Sequence, residues 1–382
     1  MTLLTGATGF LGSALAGRFL ALGDRVRCVV RGATHDERSR RLLSACDRLP
    51  AGADERLEVA SGDLDQPELG LSKGEFERLG RDVTRVVHCG ARVNMSLPYA
   101  SLHLSNVAST ESLLALASSR DAHFCHIGSL AAVAHTVTGE PFELVDPVVG
   151  GYAQSKWAAD RLVSTAHQER RLNATVFRPG RVTADSRTAR SNPSDLLEQI
   201  LRHCVRLGMV PELTGSVRLG PVDWVASLIV TLSNGTDSHG RAYHVVSEET
   251  LPWRDAVDVL RAAGYELTEI PYVKWRSLVY QVGREDTLTA RLAASLPEEP
   301  LVFDNRPALR ATRARLQLGQ EYPRCNLRQP CWPGPSRHGA SSRTGPPPGL
   351  RRAAITSRER DDLAPASAAR RPHAARRTHD RL

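Results

Sequence analysis

The sequence predicts an α/β fold, a doubly wound parallel sheet with a smaller, mainly helical C-terminal domain, and three observations carry that expectation. Short β-rich runs alternate with helical stretches through about the first 250 residues, the pattern of a parallel sheet covered by helices on both faces. A glycine-rich turn separates the first apolar run from the first helix. From about Ser191 the alternation weakens and helical segments take over.

Seven strands are expected, at Leu3 to Thr5, Arg25 to Val30, Leu57 to Ala60, Arg85 to His88, His123 to Ile127, Ala174 to Phe177 and Ala242 to Val246. Between the first two, Leu11, Leu15, Phe19 and Leu22 recur at spacings of three and four, which predicts a helix with one apolar stripe, ended by Gly23. Further helices are expected at Pro193 to Leu207 and Trp253 to Ala263. The organisation that follows is a first domain over 1–190, its sheet completed by about 215–250, and a second over 191–323 that would form the substrate side. Residues 324–382 are rich in Arg, Pro, Ala and Ser and too poor in large apolar residues to offset ordering entropy, so a disordered tail is expected.

Charge and cysteine usage narrow the function classes. The tail holds 13 Arg against 4 acidic residues, which accounts for the whole formal charge of +8 and leaves the rest of the chain near neutral. With few interleaved aromatics, that tail makes nucleic acid an unlikely partner. The seven cysteines (28, 46, 89, 125, 204, 325 and 331) form no C-x-x-C pair, so neither a metal site nor a disulfide framework is expected. No apolar run reaches the roughly 20 residues of a membrane span, and Met1 opens no signal peptide; a cytoplasmic protein is expected.

Gly6-Ala7-Thr8-Gly9-Phe10-Leu11-Gly12 lies between the first strand and the first helix, where small residues let backbone amides approach a pyrophosphate at the helix N-terminus. About 20 residues past the last glycine, where folds that bind NAD offer a carboxylate to the ribose, stands Arg31. A guanidinium there would hold a 2′-phosphate, which favours NADPH; Arg38, Arg40 and Arg41 follow on the same segment, and Arg41 is taken with Arg31 as a phosphate contact. Tyr152 and Lys156 form Y-x-x-x-K and share one helical face. An adjacent ammonium is expected to lower the phenol's pKa from its ordinary value of about 10 and make it a better proton donor.

The G-x-x-G-x-x-G turn followed by Y-x-x-x-K resembles the extended short-chain dehydrogenases, which have a Rossmann-type sheet. That resemblance implies an adenine-contacting turn at Asp63 and Leu64, a cofactor-lining stretch at Cys89, Gly90 and Ala91, a carbonyl-holding hydroxyl at Ser129 and an active-site asparagine at Asn106. His88 and Cys89 do not form a nucleophilic pair, because neighbouring strand residues point to opposite faces. The stretches His88 to Asn94, Gly151 to Trp157, Phe177 to Val182 and Pro221 to Ala226, with Leu4 to Gly12 and Val26 to Arg31, resemble the thioester reductase domains that end nonribosomal peptide and polyketide synthetases, and the related carboxylic acid reductases. Leu4 to Gly12 and Gly151 to Trp157 are shared widely with sugar epimerases, whereas Arg178 to Arg181 and Val222 to Val225 point more particularly to thioester reductases. Pro179 and Gly180, within Phe177 to Val182, are implied as cofactor contacts. The resemblance runs to about residue 323, covers Leu301 to Arg306, and then gives way to the tail as a frameshifted reading would.

What the resemblance implies is NADPH-dependent reduction of an acyl or peptidyl thioester held on the phosphopantetheine arm of a carrier protein, releasing an aldehyde or alcohol. Ser129, Tyr152 and Lys156 would be the catalytic residues, with Lys156 also holding the nicotinamide ribose. Two alternatives share the fold: a sugar-nucleotide epimerase or dehydratase, against which Arg31 speaks, and a nonenzymatic NADP-binding regulator, which has no need of the full triad. With no carrier or adenylation segment before the first strand, the chain reads as a free-standing reductase or a piece of a synthetase.

Overall fold

The computed structural model describes residues 1–300 apart from 47–48, 136, 138, 247–249 and 284–286; the tail expectation and the Leu301 to Arg306 stretch lie outside the described residues. The β-branched runs pair into one parallel sheet made of β1 (Thr2–Thr5), β2 (Val26–Val30), β3 (Leu57–Ser61), β4 (Arg85–His88), β5 (His123–Ile127), β6 (Ala174–Pro179) and β11 (Arg241–Val245). Their order is β3-β2-β1-β4-β5-β6-β11, so the winding reverses between β1 and β4. At such a reversal the loops beyond the carboxyl ends of the strands diverge and leave a crevice.

Successive strand residues serve opposite faces, and both faces are dry. Leu4, Val87, Cys125, Phe177 and Tyr243 pack on one side beneath α1 (Phe10–Ala21), α2 (His35–Ala45) and α8 (Val222–Ser233). Leu3, Val86, Phe124, Val176 and Ala242 pack on the other beneath α3 (Lys73–Leu79), α5 (Ser109–Ser118) and α6 (Gly151–Gln168). Between β4 and α5 run α4 (Tyr99–His103) and a π turn at Leu104–Ala108.

Six short strands escaped the sequence reading: β7 (Val182–Thr183), β8 (Met209–Pro211), β9 (Ser216–Arg218), β10 (Gly220–Pro221), β12 (Thr250–Pro252) and β13 (Thr268–Ile270). They pair as β7 with β10, β9 with β12 and β8 with β13. Strands of two or three residues are too short to show an alternation. A third apolar cluster is drawn wholly from residues between Leu197 and Leu296, contributed by α7 (Leu196–Leu207), α9 (Trp253–Ala262), α10 (Tyr272–Gly283) and α11 (Thr287–Ser295). Trp253 and Trp275 anchor it, their indole N–H groups donating to Pro211 O at 2.9 Å and Met209 O at 3.2 Å. α8, though later in the chain than α7, belongs to the first cluster instead, and β11 divides its residues between the first two.

Two local expectations need correction. Leu22 does not extend the stripe of α1: it is the residue after the helix and 51% exposed, while Leu15, Ala16, Phe19 and Leu20 make the buried face. α7 starts at Leu196 and not Pro193, because the Asp195 side chain accepts the Glu198 N–H and caps the helix there.

Candidate active site

The crevice at the reversal point is a cleft of about 1000 Å³ lined by the β1–α1 turn, the ends of β2, β4, β5 and β6, the start of α6, and α7 with β9. Its first end is shaped by glycines. Gly6 has φ +76, a left-handed conformation, and accepts the Gly9 N–H at 2.8 Å. A Cβ on Gly12 would lie 2.0 Å from Gly6 O, so α1 can begin this close to β1 only without a side chain there. Gly90 lies against Gly6 from the end of β4, its N–H donating to Thr5 Oγ1 at 3.0 Å. What remains is a cradle of backbone at a helix N-terminus, a place where N–H groups and the helix dipole favour an anion. Gly6, Thr8, Gly9, Phe10, Leu11 and Gly12 all line it.

Arg31, Arg41, Asp63, Leu64 and Asp65 form the adjoining wall. Arg31 is 55% exposed and reaches Asp65 Oδ2 at 3.3 Å and Asp63 Oδ1 at 3.8 Å, while Arg41 donates to Arg31 O at 2.9 Å. Arg38 turns away to donate to Gly32 O at 2.7 Å.

At the other end Tyr152, Lys156 and Ser129 meet on the cleft wall, together with Cys89, Gly90, Ala91, Pro179 and Gly180. Ser129 caps the short turn after β5, accepting from Ala131 N at 3.1 Å, and is hydrogen bonded to Tyr152. Lys156 is 3% exposed and donates to Ile127 O at 2.7 Å. Burial lowers its pKa to about 8, partly opposed by the Asp160 carboxylate one turn on. The Tyr152 phenol behaves opposite to expectation. Burial raises its pKa, the Ser129 hydrogen bond only partly offsets this, and the ammonium of Lys156 is spent on Ile127 O. A phenol held in this way is protonated at neutral pH.

Asn106 stands apart from the cleft wall. The π turn buries it, and its amide is fully engaged: Oδ1 accepts from Arg92 N at 2.7 Å, and Nδ2 donates to Arg92 O at 3.1 Å and to Ser155 Oγ at 3.0 Å. It is neither a helix cap nor a wall residue, and it braces the loop after β4 against α6. His88 and Cys89 diverge: both ring nitrogens of His88 bond to hydroxyls, Thr5 Oγ1 at 2.8 Å and Thr110 Oγ1 at 3.0 Å, and burial raises the Cys89 thiol to about 12. The sequence reading missed Asp160, which the four-residue step from Lys156 could have flagged. It also missed Leu196, Ile200, Val217 and Met95 in the cleft lining, which come from distant segments. Among the described residues no group of three or more His, Cys, Asp or Glu could hold a metal, and no helix is long and apolar enough to cross a membrane.

Comparison with known proteins agrees in fold and sequence. Residues 4–229 match the family described as "Male sterility protein". The chain is 32% identical over 307 residues to a linear gramicidin synthase of Brevibacillus parabrevis, a match that covers 77% of this chain and 6% of that protein. It is 30% identical over 357 residues to the L-2-aminoadipate reductase of Eremothecium gossypii, in its large subunit, covering 85% of this chain and 25% of the relative. The chain therefore spans a minor part of the curated relatives it matches. Among solved structures, the terminal R domain from the myxalamid PKS-NRPS biosynthetic pathway superposes with a TM-score of 0.72 at 33% identity, covering 84% of this chain and 85% of that one. A reductase (R) domain of a nonribosomal peptide synthetase from Mycobacterium tuberculosis gives 0.70 at 25% identity, with 83% and 84% covered.

Proposed function

The chain belongs to the family that contains the terminal reductase domains of nonribosomal peptide and polyketide synthetases, and from that premise we propose that it reductively releases an acyl or peptidyl thioester from the phosphopantetheine arm of a carrier protein. The observation that carries the reading is a single cleft whose lining joins the glycine cradle, the Ser129, Tyr152 and Lys156 cluster, and Leu196, Ile200 and Val217 from the later part of the chain. A nicotinamide bound with its pyrophosphate on the cradle would supply hydride to the thioester carbonyl carbon.

Ser129 and Tyr152 take the carbonyl oxygen between their hydroxyls and stabilise the negative charge that develops there. Tyr152, protonated at neutral pH, gives that oxygen its proton. Lys156 fixes the geometry, its ammonium anchored on Ile127 O, and would hold the ribose of a bound nicotinamide. When the resulting thiohemiacetal collapses, the carbon–sulfur bond breaks, the pantetheine thiol leaves with a proton, and an aldehyde remains; a second reduction takes it to the alcohol. Burial of Lys156 and Tyr152 keeps water from competing for the same oxygen. For the cofactor, the exposed Arg31 head beside Arg41 supports NADPH, since two guanidinium groups on one wall suit a 2′-phosphate. Asn106 serves through the loop it braces and touches no reacting atom.

The test is to incubate the purified chain with NADPH and a panel of acyl-pantetheine thioesters and follow the reduced-nicotinamide absorbance. Thioester-dependent oxidation with release of free thiol is expected. NADPH left unconsumed across the panel would sink the reading.

A further inference from the structure

On the α6 side of the sheet, behind the wall that carries Ser129, lies a charged pair that the proposed reaction does not use. Asp160 stands four residues after Lys156, one turn further along the same face of α6. Its Oδ2 accepts from Arg178 Nε at 2.8 Å, and the two side chains are 1% and 0% exposed. The other guanidinium nitrogens donate to Pro141 O at 2.6 Å and Phe142 O at 3.1 Å, so Arg178 is tied at three points and cannot swing to another partner. Asp160 Oδ1 accepts no hydrogen bond among the described residues. It lies 3.3 Å from where a Cβ on Gly128 would be, against the residue that precedes Ser129.

Arginine–carboxylate pairs frequently engage both carboxylate oxygens. Here one oxygen is left without a donor in a dry site, where its charge is felt by Lys156, one turn back on the same face of α6, as well as by Arg178. The groups that face Lys156 are Asp160 and Tyr152 from α6, His88 and Cys89 from the end of β4, His126 from β5, and Arg178 from β6 across Asp160. Burial keeps both histidines neutral and the thiol and phenol protonated; it also raises the Asp160 carboxyl, but the Arg178 guanidinium and the Lys156 ammonium oppose that rise, so Asp160 is the group among them whose negative charge has partners.

We propose that Asp160 and Arg178 form a positioning pair for Lys156: the carboxylate, locked through Arg178 to the backbone at Pro141 and Phe142, keeps the ammonium charged and seated on Ile127 O. The inference rests on the thioester-reductase reading in one respect, that Lys156 serves turnover. Asp160 is the strongest influence raising the Lys156 pKa against its burial, so the pair sets where the alkaline limb of the rate profile falls.

In the full-length chain, Asp160→Asn should shift that limb down by about one pH unit and lower kcat at pH 8 about fivefold, with the thioester KM changed far less. Asp160→Glu keeps the charge and should return the limb toward its original place. Because Asp160→Asn leaves Arg178 buried and unpaired, the double variant Asp160→Asn/Arg178→Gln repeats the test with two neutral amides in place of the ions, and the same displaced limb is expected. A folded variant of either kind that loses rate with the limb unmoved would show a merely structural pair and overturn the proposal. The pH dependence of Lys156 modification by an amine-reactive reagent reads the same titration without turnover. Wild-type protein inert toward every thioester would therefore overturn the functional reading alone, and an unshifted modification profile in the variants would overturn the positioning pair alone.

Discussion

At the glycine turn the cleft is shaped by side chains that are missing, whereas at Tyr152 and Lys156 it is shaped by side chains that have been buried. Gly6, Gly12 and Gly90 let backbone meet backbone, and the cradle they leave depends on steric fit with little electrostatic tuning. The catalytic end is the reverse: a phenol pushed up and an ammonium pushed down by desolvation, moderated by Ser129 and Asp160. The difference predicts that the two ends fail in different ways. Damage at the turn removes cofactor affinity and stability together. Loss of the Tyr152 hydroxyl at the far end removes rate and leaves the fold and cofactor affinity in place.

The sharpest separation is Tyr152→Phe, which should lower kcat by roughly 10²- to 10⁴-fold, the usual cost of losing a general acid, while the NADPH Kd moves less than about threefold. A variant turning over near the wild-type rate would break the comparison at its catalytic end. Gly12→Ala attacks the other end. Its methyl would meet backbone that cannot yield, so a loss of about 1 to 3 kcal/mol in stability is expected, with NADPH binding weakened in parallel. Thermal melting with and without NADPH reads both, and an unshifted transition would show that α1 can retreat from β1.

Acid should act on the burial-dominated side of the molecule. His88 is held neutral in the fold, its pKa lowered by burial from 6.5 to about 3, whereas the unfolded chain takes up that proton below about pH 6.5. Stability from this group is therefore whole above pH 6.5 and is lost as the pH falls toward 3, by about 2 kcal/mol at pH 5. Buried His126 shifts in the same direction. Denaturant midpoints at pH 7 and pH 5 check this, and His88→Asn, keeping hydrogen bonds within reach of Thr5 and Thr110, should flatten the difference. The smallest effect concerns Arg31→Ala. A hydrogen bond to a charged partner contributes roughly 1.5 to 3 kcal/mol, but Arg41 stands beside it on the same wall, so a loss near tenfold in NADPH affinity is expected, with NADH nearly unchanged. Equal losses for both cofactors would remove the case for a 2′-phosphate site.

The sequence by itself determined the parts whose constraint is local. The seven sheet strands were legible as short β-rich runs that alternate with helical stretches along the chain. The glycine turn was legible because three glycines at fixed spacing between strand and helix answer one steric demand, and Tyr152 with Lys156 because a four-residue step on a helix guarantees adjacency. Where local rules stopped, so did the reading. Leu22 fits the stripe of α1 by spacing, yet the chain leaves the helix before it; the start of α7 waits on the Asp195 cap; and the short strands exist only through partners far along the chain. Tertiary structure alone decided the electrostatics. Spacing placed an ammonium near a phenol and implied a lowered pKa. In the fold, Ile127 O takes the ammonium, burial raises the phenol, and Arg178, 18 residues beyond Asp160, crosses from β6 to meet it. A pKa depends on how much water is excluded and on which charges arrive from other segments, and neither quantity is a property of neighbouring residues in a chain.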